Sequence, residues 1–336
     1  MTLRRLLHST ALPAVAVAVN LTWVGDISFS AREGLKPDGG RGAFAPVASA
    51  LRGSDLTLGN LEGTLGHGGT SKCASIRGKT CFAFQAPPSL ARVLRDAGLG
   101  LVNLANNHSH DFGPSGLRQT KAALAAAGLA HTGLGHEIEV RDVHGVRTAF
   151  LGFAPYPWTS PLTDIPAARR LIAAAVRRAK LVVVIIHAGA EGARALHVPH
   201  GRETAFGENR GETRRFAHMA VDAGADVVFG SGPHVLRGME CYRRRLIAYS
   251  LGDFAGYNTL STAGVLDLTG ALRVGLGPGG SLVQGRLVPM RLARPGLPRP
   301  DPSGASVQLV RRLSREDFGA RACRIGRRGT VALPAH

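Results

Sequence analysis

An uninterrupted apolar run that ends in a histidine occupies residues 181–187, Leu181-Val182-Val183-Val184-Ile185-Ile186-His187. Six consecutive apolar residues, most of them β-branched, are typical of a strand buried on both faces, as in the parallel sheets of α/β proteins. A segment of helical period precedes the run at residues 167–179, and another follows it at residues 213–223. This order predicts βαβ connections and a largely parallel or mixed sheet.

The same alternation of apolar strands and Ala/Leu/Arg-rich helices extends through most of the chain. Further strands are predicted at residues 21–24, 56–58, 99–104, 148–153, 226–229 and 246–250, and further helices at residues 89–97 and 115–127. We find no internal repeat, so the pattern predicts one α/β domain.

Residues that can ligate a metal recur just after successive predicted strands. They are Asp26, Glu62, Asn107, His108, His187 and His234. Open α/β sheets bind ligands at the carboxyl ends of their strands, so folding would bring these side chains to one cleft. For any single residue a solvated turn is the alternative. The recurrence at six strand ends favours a shared site.

The ligand types indicate the chemistry of this site. Carboxylate, amide and imidazole groups suit a divalent ion such as Mn²⁺, Zn²⁺ or Fe²⁺. With two ions, we expect Glu62 to bridge them, with Asp26 and a histidine on one ion and Asn107 and another histidine on the second. Two ions about 3.5–4 Å apart would activate a water for hydrolysis at a phosphoryl or acyl centre. We expect His108 to act as general acid or electrostatic stabiliser, and Asp111 to orient its imidazole or to cap the next helix.

Three further polar residues are assigned to substrate binding. Asn60 follows a predicted strand, and Glu191 lies four residues after His187, where it offers a further ligand or a surface carboxylate. Arg210 ends the Pro/Gly-bearing segment 196–210, which we interpret as a loop over the mouth of the site and a contact for an acidic substrate.

The charge of the chain favours acidic partners. The 336 residues contain 41 Lys and Arg against 23 Asp and Glu, a formal net charge of +18. This excess predicts attraction to an anionic polymer or a phosphorylated substrate. The arginines form scattered doublets and only 5% of residues are aromatic, which disfavours nucleic acid because single-stranded nucleic acids need stacking platforms. Hydrophobic residues make up 44%, enough for a globular core.

The N-terminus and the cysteines bear on the compartment. Residues 1–20 combine a basic start, a short apolar core and Ala-x-Ala steps, which predicts a leader and an exported or cell-envelope protein. A frayed approach to the first strand is the alternative, and it leaves the cytoplasm open. Cys73 and Cys81 have the spacing to close a surface loop by a disulfide in an oxidising compartment. For Cys241 and Cys323 we expect buried, unpaired thiols.

Five motifs in order carry a family resemblance. They are Val24-Gly25-Asp26, Gly59-Asn60-Leu61-Glu62-Gly63, Leu104-Ala105-Asn106-Asn107-His108-Ser109-His110-Asp111-Phe112-Gly113, residues 224–235 with Pro233-His234-Val235, and Ile247-Ala248-Tyr249-Ser250-Leu251-Gly252-Asp253-Phe254. Together they resemble the CapA/PgsA family of bacterial capsule (poly-γ-glutamate) synthesis proteins over about residues 21–257. That family is related to calcineurin-like metallophosphatases. The resemblance therefore implies a four-layer α/β/β/α sandwich with mixed sheets.

The resemblance also implies a function in capsule synthesis. One version is a metal-dependent hydrolase or transferase acting on a phosphoester or an anionic polymer. The other is a non-catalytic polymer-binding or scaffold subunit that works with membrane-bound synthesis and export proteins. By position, the family's metal-site residues correspond to Asp26, Glu62, Asn107 with His108, His187 and His234.

Two positions depart from the family pattern. Ser231-Gly232 stand where many relatives have histidines, which removes an imidazole ligand. Asp253 stands where the family has asparagine, and its carboxylate either adds negative charge near the site or caps a turn.

The expected domain organisation has three parts. Residues 1–20 are a leader, residues 21–285 a metallophosphatase-like domain, and residues 286–336 a Pro/Arg-rich appendage packed on the same domain. Within the last part, residues 291–303 contain proline and glycine and are predicted to form an extended linker or an edge loop.

Overall fold

The computed structural model describes residues 16–31, 38–76 and 81–335. Within them the strands are β1 (Val19–Ser28), β2 (Leu56–Leu61), β3 (Thr64–Leu65), β4 (Gln85–Ala86), β5 (Leu99–Asn103), β6 (Ala130–Thr132), β7 (Glu139–Val143), β8 (Val146–Phe153), β9 (Leu181–His187), β10 (Thr204–Ala205), β11 (Glu208–Asn209), β12 (Val227–Ser231), β13 (Met239–Tyr242), β14 (Arg245–Ala248), β15 (Asp253–Gly256), β16 (Leu268–Leu276), β17 (Leu282–Ala293), β18 (Leu297–Pro300), β19 (Arg324–Ile325) and β20 (Thr330–Ala332). The α-helices are α1 (Ala48–Leu51), α2 (Leu90–Ala97), α3 (Gly113–Ala126), α4 (Ile165–Val176), α5 (Thr213–Asp222) and α6 (Ala305–Phe318). Short 3-10 helices lie at Ala45–Val47, Gly264–Asp267 and Gly319–Arg321.

Most strands belong to two mixed sheets. The first sheet has the order β19-β20-β17-β16-β1-β2-β5-β6, with β15 beside β1 and β18 beside β17, and the second has the order β13-β14-β12-β9-β8-β7. Strands β1, β2, β5 and β6 run parallel, as do β8, β9, β12 and β14. The carboxyl ends of each parallel set therefore meet at one edge of their sheet.

The local sequence sets the limits of α2. Its apolar Leu90, Val93, Leu94 and Ala97 are buried, with the spacing of an amphipathic helix. The helix ends at Gly98, whose φ of 115° lies in the left-handed region that glycine adopts without steric cost. The predicted helix at residues 89–97 is thus confirmed to within one residue.

Three hydrophobic clusters separate four layers. The strand β9 contributes to two of them because successive side chains of a strand point to opposite faces. Val183 packs between the two sheets with Trp23 of β1, whereas Val184 packs toward α4 and α5 with Phe216. The third cluster places α2 and α3 against the outer face of the first sheet. The predicted four-layer α/β/β/α sandwich with mixed sheets is confirmed.

Trp23 links the two sheets at the centre of the molecule. Its side chain is fully buried, its ring stacks on Phe229 of β12 at 5.6 Å, and its Nε1 donates a hydrogen bond of 3.2 Å to Gly230 O. Replacing a buried tryptophan by alanine costs about 3–5 kcal/mol. This contact fixes β1 of one sheet relative to β12 of the other, and both strands lead into the site described below.

The C-terminal segment completes the first sheet. Strand β17 begins at Leu282, runs past the expected boundary at residue 285, and pairs with β16, β18 and β20. Residues 291–303, expected to form a linker or an edge loop, instead contain the end of β17 and the antiparallel β18. The predicted leader lies outside the described residues up to residue 15, and Val19 and Asn20 belong to β1.

Two disulfides connect the four cysteines. Cys73 pairs with Cys81, and Cys241 pairs with Cys323 across 82 positions of sequence. The expectation of unpaired thiols at Cys241 and Cys323 is wrong, because the fold brings β13 beside the segment before β19. Disulfides are typical of oxidising compartments. Among the described residues, no helix is long and apolar enough to span a bilayer.

Candidate metal centre

Strand pairing brings the site residues together at the carboxyl edge of both sheets. In the first sheet Asp26 lies opposite Asn60 of β2 and opposite Asp253 of β15. In the second sheet His187 lies opposite Ser231. These registers convert positions separated by up to 227 residues of sequence into neighbours.

A glycine allows this close approach on β1. A Cβ atom at Gly25 would overlap the carbonyl oxygen of Gly252. Without one, the backbone N–H of Asp26 donates a hydrogen bond of 3.0 Å to Gly252 O. The glycine in the Val24-Gly25-Asp26 motif therefore sets the position of the carboxylate that follows it.

Four of the five predicted metal ligands converge on one cavity. Glu62 Oε1 lies 3.7 Å from the Nε2 atom of His187 and 3.7 Å from that of His234. Asp26 completes the contact set, with Oδ1 at 3.6 Å from His187 Nδ1 and Oδ2 at 3.4 Å from His234 Nδ1. His108, predicted as a catalytic residue, faces the same cavity, with Nε2 at 3.9 Å from Glu62 Oε1.

The potential ligand atoms form two groups. One consists of Asp26, Glu62 and His187, and the other of Asp26, His234 and Asp253; within each group the ligand atoms lie within 4.8 Å of one another. The carboxylate common to both is Asp26, whereas the sequence suggested Glu62 as the bridge. Asp253, left open at the sequence level, belongs to the second group and accepts a 2.7 Å hydrogen bond from His234 Nδ1.

Unpaired buried polar atoms test whether a cation fits here. Both carboxylate oxygens of Glu62 and the Nε2 atom of His187 are buried without a hydrogen-bond partner. Leaving such atoms unpaired is costly, and nearly all buried polar groups in proteins are satisfied. Carboxylate and imidazole donors suit Mn²⁺, Zn²⁺ or Fe²⁺, so the residues present fit a divalent metal.

The carboxylates concentrate negative charge at this edge. Burial raises the pKa of Glu62 well above its usual value, and the charges of Asp26, Glu191 and Asp253 add to the effect. Burial likewise raises the pKa of Asp253 to about 6. A carboxyl whose pKa is raised in this way lacks a compensating positive charge, which again favours a bound cation.

Asp26 and the histidines show the opposite balance. Burial alone would raise the pKa of Asp26, but hydrogen bonds with His187 and His234 hold it far below its usual value. Burial lowers the pKa of His187. Burial acts in the same sense on His234, but the charges of Glu62 and Asp253 outweigh it and raise its pKa well above its usual value.

Asn60, predicted to contact substrate, is fully buried behind Asp26. Its Nδ2 donates 2.7 Å to Asp26 Oδ1 and lies 3.2 Å from His187 Nδ1. Its Oδ1 accepts from Asn103 at 2.8 Å and from Asn106 at 3.2 Å. With its amide used in this way, Asn60 positions a ligand rather than facing a substrate.

The two adjacent asparagines have different environments. Asn106 is fully buried, its Nδ2 donates to Leu61 O at 2.9 Å, and its Oδ1 accepts from the backbone N–H of His108 at 3.0 Å. Asn107, predicted as a ligand, is half-buried, and its Oδ1 is buried without a hydrogen-bond partner. That oxygen remains available to a ligand.

His108 is held by Asp111 and a lysine that sequence reasoning missed. His108 Nδ1 lies 2.7 Å from Asp111 Oδ2, which also accepts 2.6 Å from the backbone N–H of Phe84. Lys72 Nζ lies 2.6 Å from Asp111 Oδ1. Burial lowers the pKa of His108 despite the contact with Asp111. Lys72 precedes Cys73, so the first disulfide loop lies beside this histidine.

The segment that replaces the family's histidines has its own contacts. Ser231 Oγ lies 3.2 Å from His187 Nδ1, and the backbone N–H of Gly232 donates 3.2 Å to Asp26 Oδ2. Gly232 has a φ of 108°, and a Cβ there would lie 2.9 Å from Ala188 N. Glycine is therefore required at this position, and its N–H supports Asp26 where an imidazole would have been a ligand.

Glu191 and Arg210 border the cavity on the loop side. Glu191 Oε2 lies 3.8 Å from His234 Nε2, and Glu191 forms an ion pair with Arg210. Arg210 is 2% exposed, and its Nη1 has no hydrogen-bond partner. Its guanidinium lies 5.8 Å from the ring centre of Tyr156, which stacks on Trp158 at 5.3 Å.

A metal-site α/β sandwich is the class of protein that this fold and site define. The chain belongs to the bacterial capsule synthesis protein PGA_cap family, whose sequence model matches residues 20–258. The family resemblance inferred from the sequence motifs is thereby confirmed.

Individual relatives agree with this assignment. The PGA biosynthesis protein CapA of Bacillus subtilis (strain 168) is 29% identical over 256 residues, which cover 70% of this chain and 63% of that protein. The capsule biosynthesis protein CapA of Bacillus anthracis is 29% identical over 258 residues, covering 70% of this chain and 59% of that protein. The match thus spans less than two thirds of the length of either relative.

Solved structures include a 5′-nucleotidase precursor from Thermus thermophilus. It has a TM-score of 0.46 and 15% sequence identity, over 88% of this chain and 59% of that one.

Proposed function

We propose that this protein is a divalent-metal-dependent hydrolase or transferase of capsule synthesis that acts on a phosphoester or an anionic polymer. The observation that carries the proposal is the pair of ligand groups sharing Asp26, in which Glu62 and His187 keep unpaired buried atoms. Membership of a capsule synthesis family supports the polymer setting. The two disulfides support an exported or cell-envelope location.

The ligand side chains would hold the metal, and the layer behind them would fix their geometry. Asp26, Glu62, His187, His234 and Asp253 are the ligand candidates. When bound, a divalent cation supplies Lewis-acid activation of a water and of the oxygen on the attacked centre. Asn60 donates to Asp26 Oδ1, so it holds that carboxylate in one orientation.

His108 would move a proton at its Nε2 atom. An ionised Asp111 only accepts hydrogen bonds, so the Nδ1 atom of His108 carries the proton in their 2.7 Å contact. Nε2 then faces the cavity beside Glu62. From this position it can exchange a proton with the attacking or leaving oxygen of a substrate.

Arg210 would orient the anionic group of the substrate. Its unpaired Nη1 and its burial at the site suit recognition of a phosphate or carboxylate oxygen, since charge-assisted hydrogen bonds are about twice as strong as neutral ones. Glu191, its ion-pair partner, limits the directions that the guanidinium can take.

The test combines a substrate panel with one matched pair of variants. Purified full-length protein is assayed on phosphoesters and γ-glutamyl peptides, with and without a chelator. We expect metal-dependent turnover that Asp26→Asn abolishes. Asp226→Asn is the control, since Asp226 is a buried carboxylate that caps the amino end of β9 through Val182 N at 2.8 Å. Turnover that survives both chelation and Asp26→Asn would refute the proposal.

A binding or scaffold role is the second candidate, favoured by the formal net charge of +18. In that role the chain would hold an anionic polymer for membrane-bound synthesis and export proteins. Stoichiometric metal without turnover on any substrate of the panel, together with salt-sensitive polymer binding, would favour this candidate over the hydrolase.

A further inference from the structure

A second cavity, of about 680 Å³, lies on the outer face of the second sheet. We call it the α5 pocket. It is lined by residues from α4, α5 and the segment before β19, among them Arg169, Arg214, Arg215, His218, Tyr242 and Arg321. None of the metal-ligand candidates belongs to its lining. The pocket is therefore a separate feature from the metal centre.

The strand register places part of this pocket at the edge of the sheet opposite the metal centre. Tyr242 pairs with Arg245 at the start of β14, and β14 runs parallel to β12. The metal centre lies at the other end of these strands, where Ser231 pairs with His187. A ligand in the pocket would not compete directly for the metal cavity.

A buried glutamate preorganises two basic groups of the pocket. Glu240 is fully buried and contacts His218 Nε2 at 2.8 Å and Arg321 Nε at 2.7 Å. It also accepts 2.8 Å from Tyr249 OH. Because these contacts fix His218 and the Nε side of Arg321, little side-chain entropy remains to be lost when an anion binds.

Arg214 is fixed independently. It is 6% exposed, its Nη2 donates to Val198 O at 2.7 Å and Asp317 O at 3.0 Å, and its guanidinium lies 4.8 Å from the ring centre of Phe318. Its Nε is buried without a hydrogen-bond partner. A positive charge is thus held rigidly in the wall of the pocket.

Positive charge dominates the lining. Its carboxylate, Asp222, is paired with Arg243 at 3.1 Å. Arg169 is exposed and forms no ion pair within the described residues. Arg215 pairs at 3.1 Å with Glu212, but exposed pairs of this kind contribute little. Arginines from different elements therefore face one cavity with little local compensation.

The second disulfide joins the segments that form two walls of this pocket. Cys241 is adjacent to Tyr242, and Cys323 lies two residues after Arg321. A bridge between Glu240 and Ala322 runs beside the disulfide. The disulfide therefore holds Arg321 near the ring of Tyr242, in the place where the sequence predicted unpaired thiols.

We propose that the α5 pocket binds a chain that carries several carboxylates. Guanidinium groups recognise carboxylates through paired hydrogen bonds, and arginines spread over α4, α5 and the segment before β19 match several charges on one flexible chain better than one small anion. Nucleobases lack a stacking surface here, because His218 stacks on Tyr242 at 4.1 Å and Arg243 lies 5.6 Å from the centre of the same ring. The pocket would hold the polymer whether or not the metal centre is catalytic.

The test measures binding of fluorescent poly-γ-glutamate to the full-length protein in the presence of a chelator, so that it is independent of the metal centre. The test variant is Arg169→Ala with Arg215→Ala. The control is Arg177→Ala with Arg178→Ala, which removes the same charge from an exposed doublet at the end of α4. We expect the test variant to lose about tenfold or more in affinity and the control less than about twofold.

Other outcomes would overturn the proposal. Equal losses in the two variants would show that net charge alone attracts the polymer. Duplex DNA binding as tightly, with the same sensitivity to Arg169→Ala and Arg215→Ala, would show a general polyanion surface. Displacement of the polymer by millimolar inorganic phosphate at constant ionic strength would show a site for one small oxyanion. Retained affinity after Cys323→Ser, in protein shown to be folded, would remove the role given to the disulfide.

Discussion

Two buried glutamates at opposite ends of the same core have opposite environments. Glu62, at the metal centre, keeps both oxygens without a hydrogen-bond partner, and burial raises its pKa. Glu240, behind the α5 pocket, is contacted by a histidine, an arginine and a tyrosine. Burial would raise the pKa of Glu240, but His218, Arg321 and Tyr249 lower it overall.

The difference separates a ligand site from a structural site. A buried carboxylate with protein donors on its oxygens stabilises the fold, whereas one without them is costly unless something outside the chain binds it. The two glutamates therefore predict opposite effects of the same isosteric substitution, Glu to Gln.

The largest effect is expected for Glu62→Gln on catalysis. Losing the charge of a metal ligand should reduce turnover on the order of a thousandfold, equivalent to several kcal/mol of transition-state stabilisation. In chelated protein the same substitution should leave the free energy of unfolding unchanged or higher, because it removes an uncompensated buried charge. Urea unfolding and steady-state kinetics measure the two effects. A large loss of stability in chelated Glu62→Gln protein would contradict the comparison.

Glu240→Gln should do the reverse. We expect the free energy of unfolding to fall by about 1.5–3 kcal/mol, because hydrogen bonds to a charged group are lost. Metal content and turnover should stay near those of the wild-type protein. Urea unfolding at pH 7 is the measurement, with Glu316→Gln as an exposed control on α6. Equal stability of Glu240→Gln and wild type would mean that the contacts of Glu240 contribute nothing.

Asp111→Asn should have an intermediate effect on catalysis alone. Asn cannot hold the imidazole of His108 as a carboxylate does, and losses of such supporting groups reduce activity about 10–100-fold. Metal content should be retained, and kcat should fall more than KM rises. Full activity of the variant would exclude His108 as the group that exchanges a proton.

The smallest effect is the pH dependence of the difference between wild type and Glu240→Gln. Because the folded-state pKa of Glu240 lies below its usual value of 4.5, the stability it contributes is present above that value. It is lost as the pH falls from there through the folded-state pKa. Urea unfolding between neutral and acidic pH should show the two proteins converging in stability. A difference that grows on acidification would give the wrong sign.

The sequence predicted the regular part of the molecule well because its signals are local. The apolar run at residues 181–187 is β9, and the helix predicted at residues 213–223 is α5, Thr213–Asp222. Strand ends carry the ligand candidates Asp26, His187 and His234, and the parallel register alone is enough to bring such positions to one edge.

What the sequence did not predict depends on contacts between distant segments. Asp253 enters the site because β15 pairs with β1 across the sheet, and nothing in its own motif distinguishes a ligand from a turn. Lys72 reaches Asp111 from a loop closed by a disulfide. Cys241 and Cys323 are 82 positions apart, so only the fold reveals their pairing.

The choice between Glu62 and Asp26 as the shared carboxylate was also beyond sequence reasoning. Both follow parallel strands at the same edge, and only the position of β15 gives Asp26 a second set of neighbours.

Metal content of the purified full-length protein tests the central claim most directly. After incubation with Mn²⁺, Zn²⁺ or Fe²⁺ and removal of free ions, elemental analysis should find one or two equivalents of one ion in the wild-type protein. Asp26→Asn should lose that metal, whereas Asp226→Asn should keep it. Folded wild-type protein without stoichiometric metal under all three conditions, or Asp26→Asn protein with an undiminished content, would contradict the account.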